Sequence, residues 1–183
     1  MMINKLTRVS LTGMMGSGKT SIGKMLAKKI NLPFYDSDNN IEDKLNIKIS
    51  EIFEKYGESW FREQEEKICN DILKKEKFVL ALGGGAITNK LIRDNIAKNS
   101  LLVYLKTDEN ILFERLKNDK SRPLLKGTNF KKQINSILKD REKLYSESDI
   151  IIENNANDIE AVVEEIISLI KKVNYDKNKN HNN

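Results

Sequence analysis

The sequence predicts a three-layer α/β domain, with helices covering both faces of a mostly parallel sheet. Three observations carry that prediction. Residues 8–12 alternate polar and apolar side chains as a short strand does, then run into a Gly-rich turn and an apolar period at helical spacing. Phe78–Leu82 and Leu101–Leu105 are apolar at every position, the pattern of strands buried on both sides. Strand-like and helix-like stretches then alternate along the chain, and short right-handed crossovers turn that alternation into a parallel sheet. The 183 residues suffice for one domain, expected over residues 1–173, with a proper core.

The first element is Arg8–Thr12, followed by Gly13-Met-Met-Gly-Ser-Gly-Lys-Thr20, which fits G-x-x-x-x-G-K-[ST]. A polyphosphate needs several backbone N–H groups aimed inward at once, and a Gly-rich turn bends around it without Cβ clashes. Gly16, Ser17, Gly18, Lys19, Thr20 and Ser21 are the candidate contacts to ATP. Lys19 brings a charge to the β/γ-phosphates, and the Thr20 hydroxyl can ligate the accompanying Mg2+. Ile22, Met25, Leu26 and Ile30 mark the helix behind the turn, whose dipole adds to the anion site. Strand, turn and helix in this order are the context that a P-loop requires, so the chain binds a nucleoside triphosphate.

Asn31-Leu32-Pro33 ends that helix, and Phe34-Tyr35-Asp36 reads as a second strand. Asp36 and Asp38 stand at its carboxyl end, where open α/β sheets bind ligands; helix capping explains them equally well. Residues 39–75 read as helical pieces, one capped by Ser50 and stopped by Gly57, the next carrying Phe61, Ile68, Ile72 and Leu73 on one side. Arg62 and Glu65, three apart, are neighbours on its surface, a spacing most often seen in solvated ion pairs. Gly83-Gly84-Gly85 closes the strand at 78–82 and admits a ligand close to the backbone. A short helix is expected from Thr88 to Lys98, and one after Leu101–Leu105 with Thr107 as its cap. The polar stretch of about 117–129, which embeds Arg122-Pro123, reads as a lid over phosphates or as a plain surface loop. A helix from Phe130 to Tyr145 carries Arg141; Asp149–Glu153 is the last strand, and Asn157 caps a final helix with a continuous isoleucine and valine face. The Lys/Asn-rich tail, 174–183, has nothing to bury and is expected to be disordered.

Composition excludes several classes of protein. No apolar run approaches the ~20 residues of a membrane span, and with only Met1–Thr7 before the first strand no signal or transit peptide is expected. The single cysteine, Cys69, rules out an internal disulfide and suits a reducing cytoplasm, with the thiol packed as a small apolar group. A net charge of +5 invites nucleic acid, but the lysines are scattered over polar helix positions without interleaved aromatics. Only six of the 32 basic residues are arginine, so each arginine is a candidate for a two-pronged grip on carboxylate or phosphate.

Asp36-Ser37-Asp38, Phe61-Arg62-x-x-Glu65, Gly83-Gly84-Gly85, Arg122-Pro123-Leu124-Leu125 and Arg141-x-x-Leu144-Tyr145 follow the P-loop in that order. Over roughly residues 8–170 the chain resembles the shikimate kinases. The resemblance implies five parallel strands in the order 2-3-1-4-5, substrate-binding helices at about 36–75 and a lid at about 117–129. It also implies transfer of the γ-phosphate of ATP to the 3-hydroxyl of shikimate, with Mg2+ as cofactor. Arg62 and Arg141 match the pair that holds the carboxylate, Asp38 the group on the ring hydroxyls and the attacking oxygen, and Glu65 the residue that orients the arginine. Gly83, Gly84 and Gly85 match the substrate-binding triplet, Arg122 the lid arginine on the phosphates, and Asp36 with Thr20 the metal site. Asn157 is the nearest match to a residue at the adenine. The expected partners are ATP and shikimate alone, without nucleic acid or membrane, and a monomer is expected. A gluconate-type kinase of the same architecture is the alternative enzyme, and an ATP-binding module without turnover the alternative outside catalysis.

Overall fold

The computed structural model describes residues 7–117, 130–156 and 158–179. Five strands, β1 (Arg8–Thr12), β2 (Phe34–Asp36), β3 (Phe78–Ala81), β4 (Leu101–Lys106) and β5 (Ile150–Glu153), form one parallel sheet in the order β2-β3-β1-β4-β5. Leu11 of the central strand lies level with Ala81 on one side and Val103 on the other. The strand order and direction are those the resemblance implies.

Both faces of the sheet are covered, which explains the unbroken apolar runs. Val9, Leu11, Val79, Val103 and Ile152 point to one face. There they pack on Ile22 and Leu26 of α1 (Lys19–Lys29) and on Val163 and Ile166 of α7 (Ile159–Lys179). Phe78, Leu80, Leu102 and Tyr104 point to the other face, against Ile68 and Ile72 of α3 (Ile49–Leu73) and Ile92 and Ile96 of α4 (Lys90–Asn99). The period of two along each strand divides its apolar side chains between the layers. Cys69 is fully buried in the second layer.

The remaining helices are α2 (Ser37–Leu45), α5 (Glu109–Leu116) and α6 (Phe130–Ser146), with a 3-10 turn at Ala86–Thr88. Gly57 breaks α3 as expected: its φ of 80° and ψ of 172° interrupt the helical run. Two caps differ from expectation, and the third expected cap is not among the described residues. Ser50 does not cap α3; the helix starts one residue earlier, where the Glu42 carboxylate accepts from the Ile49 N–H at 2.9 Å. Thr107 yields its place to Asp108, which accepts from the Asn110 N–H at 2.8 Å. Asp158 accepts from the Ala161 N–H at 2.9 Å at the start of α7, while Asn157 lies outside the described residues.

The helix at 88–98 begins at Lys90, after Asn89 caps it. At the far end, α7 continues to Lys179, well into the stretch expected to be disordered. That expectation rested on burial, and a nucleated helix needs none: each further residue adds a backbone hydrogen bond. The carboxyl ends of β1, β2 and β3 bring residues 13–18, 36–38 and 83–85 to one edge of the sheet.

Candidate active site

The P-loop wraps back on itself before it meets any ligand. Gly18 precedes α1 with φ 86° and ψ 12°, a left-handed conformation that exposes the first N–H groups of the helix. Lys19 is almost fully buried, and its Nζ donates to the carbonyls of Gly13 at 2.9 Å and Met14 at 3.0 Å. The loop is braced from outside by Asn154 Nδ2 on the Ser17 carbonyl, 2.6 Å, and by Arg115 Nη1 on the Gly16 carbonyl, 3.2 Å. Met14 and Met15, which carry no signal of their own in the motif, pack under it against Leu112, Leu116 and Ile134. Ser17 Oγ is buried without a hydrogen-bond partner among the described residues, and Ser21 is exposed.

Thr20 Oγ1 donates to Asp36 Oδ2 at 2.7 Å, while Asp36 Oδ1 accepts from the N–H groups of Asp38 and Asn39. Asp36 therefore caps α2 and meets the P-loop threonine at once, so the two readings open in the sequence are compatible. A hydroxyl and a carboxylate beside a phosphate cradle are the hard oxygen donors that Mg2+ takes. Among the described residues no cluster of three or more His, Cys, Asp or Glu forms a metal cage. This donor set fits an ion held mainly by phosphates and water, with one or two protein oxygens.

Beside the cradle opens a cavity of about 470 Å³, bordered by Asp38, Arg62, Glu65, Gly84, Gly85 and Arg141. Phe53 and Phe61, their rings 4.9 Å apart, form its apolar wall. Arg62 is gripped from both sides along its own helix. Glu65 Oε2 takes Nη1 at 2.7 Å, and Glu58 Oε1 takes Nη2 at 2.9 Å and Nε at 3.2 Å. Glu65 is only 1% exposed, and its second oxygen has no partner among the described residues. Burial pushes its carboxyl above the ordinary value of 4.5; Arg62 pulls the other way and the Asp38 charge adds to the rise. Burial works against the charge on Arg62, but the two carboxylates outweigh it and hold the guanidinium above its ordinary range.

The Gly triplet is the wall against which these groups rest. A Cβ at Gly83 would lie 2.5 Å from Asp38 Oδ1 and 2.7 Å from Glu65 Oε1, and one at Gly85 would lie 2.5 Å from Arg62 Nη1. Gly83 N–H donates to Ser37 Oγ at 2.7 Å. Gly84 takes Arg141 Nη1 on its carbonyl at 2.9 Å, and on its other side a Cβ would sit 3.2 Å from the Met15 nitrogen of the P-loop. Arg62 and Arg141 thus converge on adjacent glycines, next to the phosphate cradle.

Of the residues expected at the site, Gly16, Ser17, Gly18, Lys19, Thr20, Asp36, Asp38, Arg62, Glu65, Gly83, Gly84, Gly85 and Arg141 gather at this edge. Arg122, the lid of about 117–129 apart from Lys117, and Asn157 lie outside the described residues. Sequence reasoning missed Glu58, although its i−4 spacing from Arg62 was readable, and also Ser37, Arg115, Asn154 and Tyr145.

The family sequence profile described as shikimate kinase matches residues 15–171. The chain belongs to the shikimate kinase family. Its activity is ATP-dependent phosphoryl transfer to shikimate. The shikimate kinase of Blochmanniella floridana is 40% identical over 178 residues, spanning 93% of this chain and 96% of that one. A solved shikimate kinase from Acinetobacter baumannii, in complex with shikimate, superposes with a TM-score of 0.88 at 38% identity, covering 90% of this chain and 92% of the other. The shikimate kinase of Aquifex aeolicus gives 0.80 at 34% identity, with 91% and 97% covered. A gluconokinase from Sinorhizobium meliloti shares the fold at 17% identity and a TM-score of 0.58.

Proposed function

We propose that the cavity beside the P-loop holds shikimate with its carboxylate between Arg62 and Arg141, so that the 3-hydroxyl faces the γ-phosphate of ATP. The convergence of the two arginines on Gly84 and Gly85, one residue layer from Met15 of the P-loop, is the observation that carries this reading. A planar guanidinium suits a carboxylate because it offers two parallel N–H groups. Nη1 and Nη2 of Arg62 each keep a donor beyond those given to Glu58 and Glu65.

Asp38 accepts the proton of the attacking hydroxyl as the new O–P bond forms and ADP departs. Lys19 and Arg122 cover the phosphate charge, and Thr20 with Asp36 would hold Mg2+. Bound with the triphosphate, Mg2+ supplies charge neutralisation at the transferring group. Positioning provides most of the remaining acceleration, since the protein forms no covalent bond with the phosphoryl group. Arg115 borders a second cavity of about 440 Å³ with Asn110, Ile111 and Asn155; its hold on the Gly16 carbonyl sets its planar group beside the P-loop, where an adenine ring can stack.

The chain acts as a monomer in the cytoplasm, a compartment that suits the single buried thiol of Cys69. No helix among the described residues is long and apolar enough to cross a membrane.

Arg62→Ala and Arg141→Ala test the reading by calorimetric titration with each substrate. Loss of a charge-assisted contact should weaken shikimate binding by about 2–5 kcal/mol and leave ATP binding nearly intact. Equal losses for both ligands, or turnover of gluconate to match shikimate, would overturn it.

A further inference from the structure

Tyr145 closes the motif that begins at Arg141, yet the chemistry above gives it nothing to do. The two residues are four apart on α6 and therefore sit one above the other on the same face. Both donate to one acceptor, the Gly84 carbonyl: Arg141 through Nη1 at 2.9 Å and Tyr145 through its hydroxyl at 2.7 Å. A carbonyl oxygen has two lone pairs, so these two bonds use its capacity.

The two donors differ in stiffness. An arginine has four rotatable side-chain bonds and can follow its acceptor through a range of helix positions. A tyrosine has two, and turning its ring about the second leaves the hydroxyl in place. Tyr145 is also fully buried, its ring stacked on Tyr104 at 5.1 Å and 23°. Tyr104 is tied in turn to α6, since its hydroxyl donates to Glu142 at 2.7 Å. The Tyr145 oxygen therefore moves only if α6 moves against β4 and the Gly triplet. Burial raises the Tyr145 hydroxyl above its ordinary 10.0, with Arg141 pulling against it, so the group stays protonated and can donate.

We propose that Tyr145 is a positioning residue: its hydroxyl pins α6 to Gly84, so that Arg141 is presented at a fixed place to the carboxylate of the acceptor. This deepens the site reading above and rests on it. The stiff donor sets the distance between helix and glycine wall, while Arg141 gives one N–H to that wall, faces the Tyr145 hydroxyl, and keeps its remaining donors for the ligand.

Tyr145→Phe removes one oxygen and keeps the ring and its stacking. Shikimate affinity, followed by calorimetry on the full chain, should fall about 3- to 10-fold, the effect of one hydrogen bond, with ATP affinity unchanged. The decisive arm is the double variant Tyr145→Phe/Arg141→Ala. If Tyr145 acts through Arg141, the phenylalanine has no further effect on shikimate binding once the arginine is gone. Full additivity, unchanged shikimate affinity in Tyr145→Phe, or matched losses for both ligands with a lowered melting temperature would each overturn the proposal. The Arg141→Ala single variant separates the two levels: if it binds shikimate as the parent does, the site reading fails; if it binds weakly while Tyr145→Phe does not, only the role of Tyr145 fails.

Discussion

Gly85→Ala should leave the fold intact and empty the acid site of its affinity. Gly85 has φ −99° and ψ −12°, which alanine adopts without strain. Its new Cβ would lie 2.5 Å from Arg62 Nη1, 2.6 Å from Nη2 and 2.8 Å from Cζ. Every one of these atoms is at the end of a flexible side chain, so the guanidinium yields and the backbone stays. It must retreat by about 1 Å to restore ordinary van der Waals separation. Glu65 and Glu58 hold it at 2.7 and 2.9 Å, so the retreat also stretches the grip that aims it. Stability changes little, because alanine restricts the unfolded chain by about 0.4–1 kcal/mol and offsets part of that strain. A misplacement of about 1 Å, by contrast, costs on the order of 100-fold in a positioned reaction. Trp60, the only tryptophan, lies on α3 two residues before Arg62 and offers a fluorescence signal for shikimate titration. Kinetics by coupled ADP release at saturating ATP give the second measure. A shikimate affinity equal to the parent's, or an equal loss for ATP, would refute the argument that Arg62 is aimed by the glycine wall.

Lys19→Ala should lower kcat at least about 100-fold while shikimate still binds, because the charge sits on the P-loop and does not border the acid cavity; turnover and shikimate titration measured together decide it. Glu65→Gln should alter the pH dependence of stability. The buried carboxyl holds its proton more tightly folded than unfolded, so its stabilisation is complete below the ordinary 4.5 and is lost as pH rises through the higher folded value. The melting temperature of the variant relative to the parent should therefore climb from about pH 4 to pH 7, and a flat difference would contradict the raised value. Gly57→Ala should cost about 1–3 kcal/mol, since φ 80° and ψ 172° belong to a region that essentially only glycine occupies, although nothing lies within 4 Å of the added methyl. Thermal unfolding measures it, and an unchanged midpoint would mean that the helix break is not strained for other residues.

How far the site was legible in the sequence depended on the kind of partner each residue has. Phe78–Leu82 and Leu101–Leu105 announced a parallel sheet because covering both faces of a strand removes every polar position, and that leaves a mark in composition. The P-loop was legible because its demands are local: glycines where the backbone turns, then a lysine and a threonine where the helix begins. Arg62 and Glu65 were visible as a helical pair, but the same spacing describes any solvated pair; only the burial of Glu65 separates the two cases, and burial comes from α2 and the glycine triplet, which are distant in sequence. The caps failed for a related reason. Ser50 and Thr107 have the right chemistry within two residues of the true caps, and the choice is made by where a carboxylate reaches the first free N–H groups, as Glu42 does for α3 and Asp108 for α5. Asn154 and Arg115 left no trace in the sequence, and Ser37 and Tyr145 stood in motifs without a role of their own, because each acts on a main-chain group: the Gly83 N–H or the carbonyls of Ser17, Gly16 and Gly84. A main-chain partner has no side-chain identity, so no residue pattern can record the pairing. These bonds orient the groups that were legible, which is why a motif can name the chemistry of this site but not the geometry that makes the chemistry work.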